Sequence, residues 1–201
     1  NYKYIVQPFG TLVDNTLLQP ATDSTRYYLR SLGDNARRDP SDIWQSFPEL
    51  LQDFELPAWF PFDFPNHERY FSSVFRIGSR DMQLWTHYDM MDNVLCHVSG
   101  TKHVTLWDPS LAHRMYLQGS SSAVVRIDEP DMEKFPNFPY DECMRCTLLP
   151  GDLLFIPSLW FHNIHAEDPC ISVNIFWRHL AREMYEKKDL FGNKDLSAGL
   201  D

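Results

Sequence analysis

From about residue 71 onward the chain is a succession of short runs with one texture: YFSSVFRI, MQLWTHYD, NVLCHVSG, KHVTLWDP, AVVRID, CTLLP, DLLFIP, WFHNIHAE and CISVNIFW. Each is rich in β-branched and aromatic residues, and Ser99-Gly100, Pro150-Gly151-Asp152 and Asp168-Pro169 punctuate the gaps. Many short strands at such spacing bury their apolar faces by packing sheet on sheet. The expected fold is therefore mainly β, a sandwich or barrel. VLCHVSGTKHVTLW reads as one hairpin turning at Gly100.

The flanks read differently. Residues 1–70 look irregular with some helix, apart from RYYLRSL (26–32), which reads as a strand by its aromatic content. The prolines of PAWFPFDFP (57–65) mark a loop packed by aromatics. After Trp177 the stretch HLAREMYEKKDLF turns charged and reads as a helix that docks on the sheet or on a partner. One domain is expected: an N-terminal flank over 1–70, a β core over 71–178, and the start of a C-terminal helical extension over 179–201.

Composition bounds the function classes. A net charge of −10 argues against broad, non-specific nucleic-acid binding and leaves room for a local basic patch. No apolar run approaches a membrane span and no secretory signal is visible, so no membrane role and an intracellular, cytoplasmic or nuclear setting are expected. Four cysteines are sparse for a disulfide scaffold and fit a reduced compartment. Cys143 and Cys146 form a C-x-x-C without a second ligand pair, which points to plain thiols rather than zinc.

The chemistry concentrates in LWTHYDMMDN, residues 84–93. His87 and Asp89 are two apart, which on a strand means one face. A third candidate comes from GDLLFIPSLWFHNIH: Gly151 makes a turn, 153–156 form a buried strand, Pro157 breaks it, and His162 follows five residues later. That spacing is close to the second cupin motif, which aims a histidine into a barrel. Taken singly, His87 could be a buried histidine bonded to Asp89, and His162 a surface residue beside a solvent-facing His165. Together they make a two-histidine, one-carboxylate set, the facial triad of non-haem Fe(II) oxygenases.

Lys102 lies on the strand KHVTLW, where alternation groups it with Val104 and Leu106. A lysine pointing into a barrel needs an anion, because a buried unpaired ammonium is costly. The distal carboxylate of 2-oxoglutarate is one such anion; a surface lysine beside His103 is the plainer alternative. Asn93 and Asn174 are amides beside apolar strand stretches, and Tyr28 offers a hydroxyl.

H-x-D, Asn at +6, Lys at +15 and a distal P-x-x-x-x-H resemble the JmjC-type hydroxylases. YYLRSLGD, FSSVFRI, MQLWTHYDMMDN, LFIPSLWFHN, VNIFWRHL and FGNKD bring the resemblance to the tRNA-hydroxylase branch of that family, over nearly the whole chain. It implies a double-stranded β-helix (a cupin-like jelly roll) with flanking helices, and Fe(II) held by His87, Asp89 and His162 as the catalytic centre. It implies 2-oxoglutarate contacts at Tyr28, Asn93 and Lys102, with Asn174 nearby, and dioxygen as the other co-substrate. It further implies hydroxylation of the wybutosine-type base beside the anticodon of tRNA(Phe), giving hydroxywybutosine, and a homodimer built through the C-terminal extension. Trp85, Tyr88, Trp160 and Phe161 are candidates for a base-stacking platform. Arg76 is the first choice for a tRNA contact, among a basic rim of Arg80, Arg114, Arg178, Arg182, Lys187 and Lys188. Two rivals share the fold: a hydroxylase of a protein side chain, and a cupin-like binding module without catalysis.

Overall fold

Two antiparallel sheets face each other and hold the site between them. The structure, a computed structural model, describes residues 3–18, 22–36 and 38–193. The strands are β1 (Tyr28–Arg30), β2 (Tyr70–Gly78), β3 (Gln83–His87), β4 (Asp92–Ser99), β5 (Lys102–Trp107), β6 (Leu117–Gln118), β7 (Ser121–Ser122), β8 (Met144–Leu148), β9 (Leu153–Ile156), β10 (Phe161–Ala166) and β11 (Cys170–Trp177). The major sheet has the order β1-β2-β11-β4-β9 and the minor sheet β6-β7-β3-β10-β5-β8. This is the jelly-roll arrangement expected of the core.

The anticipated hairpin at Gly100 does not form. β4 pairs with β11 and β9 in the major sheet, whereas β5 pairs with β10 and β8 in the minor one. Gly100 makes a corner between sheets rather than a turn within one. Its φ is +85°, and a Cβ there would sit 2.4 Å from the Pro169 carbonyl oxygen and 2.7 Å from Cys170 Sγ. The corner leading from β10 into β11 thus packs directly on it, and only a glycine fits between the two.

Three cores follow from the layering. The outer face of the major sheet (Phe75, Ile77, Val94, Val173, Ile175, Trp177) is covered by Ile43 from helix α2 (Ile43–Ser46) and by the aromatics of the 57–65 loop. In that loop Phe62 and Phe64 lie 5.5 and 5.6 Å from the Trp177 ring, as its composition predicts. Leu95, Val104, Leu106, Leu148, Ile156 and Ile164 fill the space between the sheets. The third core, around Trp107, Met115 and Phe138, lies against the minor sheet.

Two further elements differ from expectation. AVVRID forms no strand. Val124 and Ile127 are the buried residues of that segment and lie three apart, so it inserts apolar anchors instead of alternating along a ladder. HLAREMYEKKDLF forms only a 3-10 turn at Arg182–Met184. Tyr185 Oη accepts the backbone N–H groups of His179 and Leu180 at 3.1 Å each, and Leu180, Met184 and Tyr185 pack on the core around Trp107. Tertiary anchoring overrides the helical propensity here. Residues 194–201, the rest of the expected extension, lie outside the described residues. Helix α1 (Phe9–Leu17) accounts for the helix foreseen near the N-terminus.

Candidate metal and co-substrate site

His87 ends β3, and a bulge turns it inward. In the β3–β10 ladder His87 faces His162 and Leu84 faces Ile164, so three steps on β3 oppose two on β10. The extra residue places Leu84 and His87 on one face in spite of their odd spacing. Asp89 lies beyond the strand, in a loop fixed by the Leu159 N–H donating to the Asp89 carbonyl at 2.8 Å. Strand alternation, the reason for pairing His87 with Asp89 from sequence, is therefore not what joins them. The bulge and the loop do so.

The result is convergent. One ligand atom from each of His87, Asp89 and His162 lies within 4.8 Å of the other two. The imidazole centroids are 4.2 Å apart, and His162 Nε2 is 3.6 Å from Asp89 Oδ2. Each histidine is oriented identically: His87 Nδ1 donates to the Trp85 carbonyl at 2.6 Å and His162 Nδ1 to the Trp160 carbonyl at 3.0 Å. Spending Nδ1–H on a carbonyl fixes the tautomer and frees both Nε2 lone pairs. Burial, then the neighbouring His87, pushes the His162 pKa down to about 4 against the opposing pull of Asp89. The lowered pKa favours a neutral imidazole whose Nε2 presents a lone pair, so its contact with Asp89 is not an ion pair. Among the described residues no other group of three His, Cys, Asp or Glu side chains converges in this way.

A polar row crosses the inner face of the major sheet beside the triad. The ladder aligns Arg30 with Arg76, Arg76 with Ser172, and Ser172 with His97. From the minor sheet Lys102 reaches across, and its Nζ donates to Ser172 Oγ at 2.6 Å. Lys102 is only 8% exposed, sharing its inward face with Val104 and Leu106 as alternation predicts. Burial pushes its pKa down to about 8, with the nearby Arg76 adding to the effect and Cys170 opposing it. Among the described residues no carboxylate lies within ion-pairing distance of Lys102. Several inward polar atoms also lack a partner: Arg76 Nε, Asn93 Nδ2, His97 Nδ1 and Ser72 Oγ. Buried donors and cations left this way mark a pocket whose complement is an anion.

The site residues expected from sequence all reach this interior, with one change of role. Asn174 Nδ2 donates to Asn93 Oδ1 at 3.0 Å, which leaves the Asn93 amide donor facing the pocket. The Tyr28 hydroxyl accepts from the Arg76 guanidinium. Arg76 is therefore inside the barrel, close enough to lower the pKa of both His162 and Lys102, and not on an outer rim. The stacking platform is also corrected: Tyr88 and Phe161 are core residues, 1% and 0% exposed, while Trp85 is exposed. Ser172, His97 and Arg30 were missed. Asn93, Leu95 and His97 alternate along β4, so the pattern carried His97. Ser172 carried no signal, being a small residue that matters only through Lys102. His165 stacks on His103 outside the minor sheet, and all four cysteines are free, as expected.

The comparisons with known proteins agree with the fold. The model of a cupin-like domain matches residues 1–183. tRNA wybutosine-synthesizing protein 5 of Mus musculus is 46% identical over 200 residues, covering 97% of this chain and 62% of that protein. Its counterpart in Danio rerio is 51% identical, covering 87% and 52%. tRNA wybutosine-synthesizing protein 4 of Aspergillus oryzae is 34% identical, covering 98% and 18%. The chain thus spans about half to three fifths of the length of the protein 5 relatives. A superposition on a ribosomal oxygenase from Escherichia coli in complex with cobalt and 2-oxoglutarate covers 57% of this chain and 25% of that one. It has 16% identity and a TM-score of 0.39, too loose to carry an argument.

Proposed function

We propose, from the premise that this chain belongs to the cupin-like domain family, that it is the catalytic domain of an Fe(II)- and 2-oxoglutarate-dependent tRNA hydroxylase. The observation that carries the reading is the coexistence of two features in one barrel. A triad with freed Nε2 atoms stands beside an interior whose cations and amide donors lack an anionic partner. His87, Asp89 and His162 would hold the metal on one face, leaving the opposite positions open. Bound there, iron with 2-oxoglutarate and dioxygen supplies the oxidation: the co-substrate leaves as succinate and carbon dioxide, and one oxygen atom enters a C–H bond of the substrate.

The chain's own residues do the positioning. Lys102 takes the distal carboxylate, held on station by Ser172, while Arg76 and Tyr28 line the wall next to it. Asn93, oriented by Asn174, offers its free amide to the end nearer the metal. The apolar layer of Leu95, Val104, Leu106 and Ile164 keeps water out and strengthens each of these contacts.

The relatives' names support tRNA as the substrate class and wybutosine synthesis as the setting. The wybutosine-type base beside the anticodon of tRNA(Phe), the target implied by the sequence resemblance, is the proposed site of hydroxylation. An anticodon-loop base is already unpaired and can enter a pocket. Four free cysteines accord with an intracellular site of action. The test is succinate release from 2-oxoglutarate with tRNA carrying the precursor base against the same tRNA without it. Stimulation by the first alone is expected. Equal turnover on both, with hydroxylation found only on a protein, would transfer the assignment to a protein-side-chain hydroxylase.

A further inference from the structure

Phe191, which opens the FGNKD motif, has no part in the triad or in the co-substrate pocket, yet its position is tightly specified. Asp189 Oδ1 accepts the backbone N–H groups of Phe191 and Asn193 at 2.9 Å each. Gly192 has φ +70°, and a Cβ there would press to 2.7 Å on the Tyr185 ring. The turn so fixed inserts the Phe191 ring between two neighbours. The Arg30 guanidinium lies over it at 4.7 Å, and the Phe71 ring meets it edge-on at 5.6 Å. On the Phe71 ring, in turn, the Arg178 guanidinium lies at 5.0 Å. A row results: guanidinium, ring, ring, guanidinium.

The arginines in this row are set apart by stacking on rings, since Arg38, Arg69 and Arg182 are also exposed without a carboxylate partner among the described residues but lie over no ring. Arg26, Arg80, Arg114, Arg126 and Arg145 each pair with a carboxylate. Arg178 is exposed; Arg30 is exposed as a residue, though burial of its guanidinium lowers its pKa; and among the described residues neither has a carboxylate within 4.0 Å. In a chain of net charge −10, these two close one continuous row, whereas Lys134 over Phe135 is an isolated stacked cation elsewhere. Their place is also particular. Arg30 is in register with Arg76 and within electrostatic reach of Asp89. Arg178 follows the last residue of β11, Trp177, which faces Asp92. The row therefore starts beside the triad and runs along the rim of the barrel.

We propose that Arg30 and Arg178, backed by Phe191 and Phe71, form a stacking platform that grips unpaired bases of a tRNA loop beside the metal site. A guanidinium with one face on a ring presents its other face outward as a flat cation, which is suited to a nucleobase and to the adjoining phosphate. The platform rests on the tRNA-hydroxylase reading and adds to it the surface that holds the RNA. It also gives the fixed turn at Asp189 and Gly192 a purpose.

The experiment measures binding of deacylated tRNA to the full chain across a salt series, for the parent and for Arg30→Lys, Arg178→Lys, Arg178→Gln and Phe191→Leu. Arg126→Gln serves as the control, and melting temperature verifies the fold. Lysine keeps the charge and loses the plane. Arg178→Lys and Arg30→Lys should therefore weaken binding about tenfold, within the range one base stack contributes, at an unchanged salt slope. Arg178→Gln should weaken it further and lower the slope by about one. Phe191→Leu should follow Arg30→Lys, and Arg126→Gln should bind as the parent does. If the parent binds tRNA and the platform variants bind equally well, the platform is wrong and the tRNA reading survives. If the lysine variants match the parent while Arg178→Gln alone loses affinity, charge rather than stacking is at work and the platform is overturned. A parent that binds no tRNA removes both.

Discussion

Lys102→Met should stabilise this domain while abolishing its grip on 2-oxoglutarate. Burial holds the ammonium at about 8 instead of 10.5, which at ~1.4 kcal/mol per pH unit is a cost of roughly 3 kcal/mol carried by the charged form. At 8% exposure there is little solvent to screen it. Methionine keeps the length of the side chain and removes the charge. It forfeits the hydrogen bond to Ser172 Oγ, worth ~1 kcal/mol. The net gain is about 2 kcal/mol, or about 4–8 °C in melting temperature for a domain of this size. The sign with pH is fixed as well. The folded-state pKa lies below the unfolded one, so the penalty is complete below pH 8 and fades as pH rises to 10.5. Parent and variant should converge across that window. Urea denaturation without co-substrate at pH 7 and pH 10, with calorimetric titration of 2-oxoglutarate, measures both effects. A variant less stable than the parent at pH 7 would show that Lys102 is not a strained cation awaiting an anion.

Three further outcomes are expected. Replacing His87, Asp89 or His162 by Ala should cost more Mn(II) or Fe(II) affinity than the ~10–100-fold lost with an outer partner of a metal site, with the circular-dichroism spectrum retained; native metal affinity in any one of them removes that residue from the triad. 2-Oxoglutarate affinity should be level below pH 8 and fall by close to tenfold per pH unit above it, as the Lys102 proton is lost; a flat profile to pH 10 contradicts the assignment. Gly100→Ala should destabilise by roughly 2–4 kcal/mol, because the corner combines a positive φ with a backbone oxygen 2.4 Å from the new Cβ; a loss under about 0.5 kcal/mol in a denaturant titration would mean the two corners are not packed together.

Much of the site was legible because its signals are local. The strand runs, Gly151, Pro157 and His162, and the alternation that turns Lys102 inward each depend on a few neighbouring residues. Features set by distant partners were not legible. Periodicity tells which face a residue shares, but not which sheet its strand joins, so β4 and β5 read as a hairpin although the Pro169–Cys170 corner forces them apart. Nor does periodicity show a bulge: by strict alternation Leu84 and His87 fall on opposite faces. Tyr88 and Phe161 looked like a stacking surface because they adjoin ligands in sequence. Neighbours of inward residues point outward, however, and here the outward side of the minor sheet is itself covered by a core.

Arg76 shows most clearly how position in the fold decides a residue's role. An arginine in an acidic chain, on the segment before the metal strand, reads as a rim cation for a polyanion. In the sheet it stands between Arg30 and Ser172, donates to Tyr28, and leaves its Nε without a partner. Arg30 stands near Asp89, Arg76 near His162 and Lys102 near Arg76, so three cations gather beside a triad whose one carboxylate is already committed to it. A resident metal would add to this positive charge and not offset it. The interior is balanced only when anionic groups enter: a dicarboxylate brings two, one for the metal face and one for Lys102. Arg30, at the outer end of the row, remains free for a charge supplied from outside the barrel. On the function proposed above, depth in the row would divide the labour, with the inner cations serving the co-substrate and the outermost one the RNA.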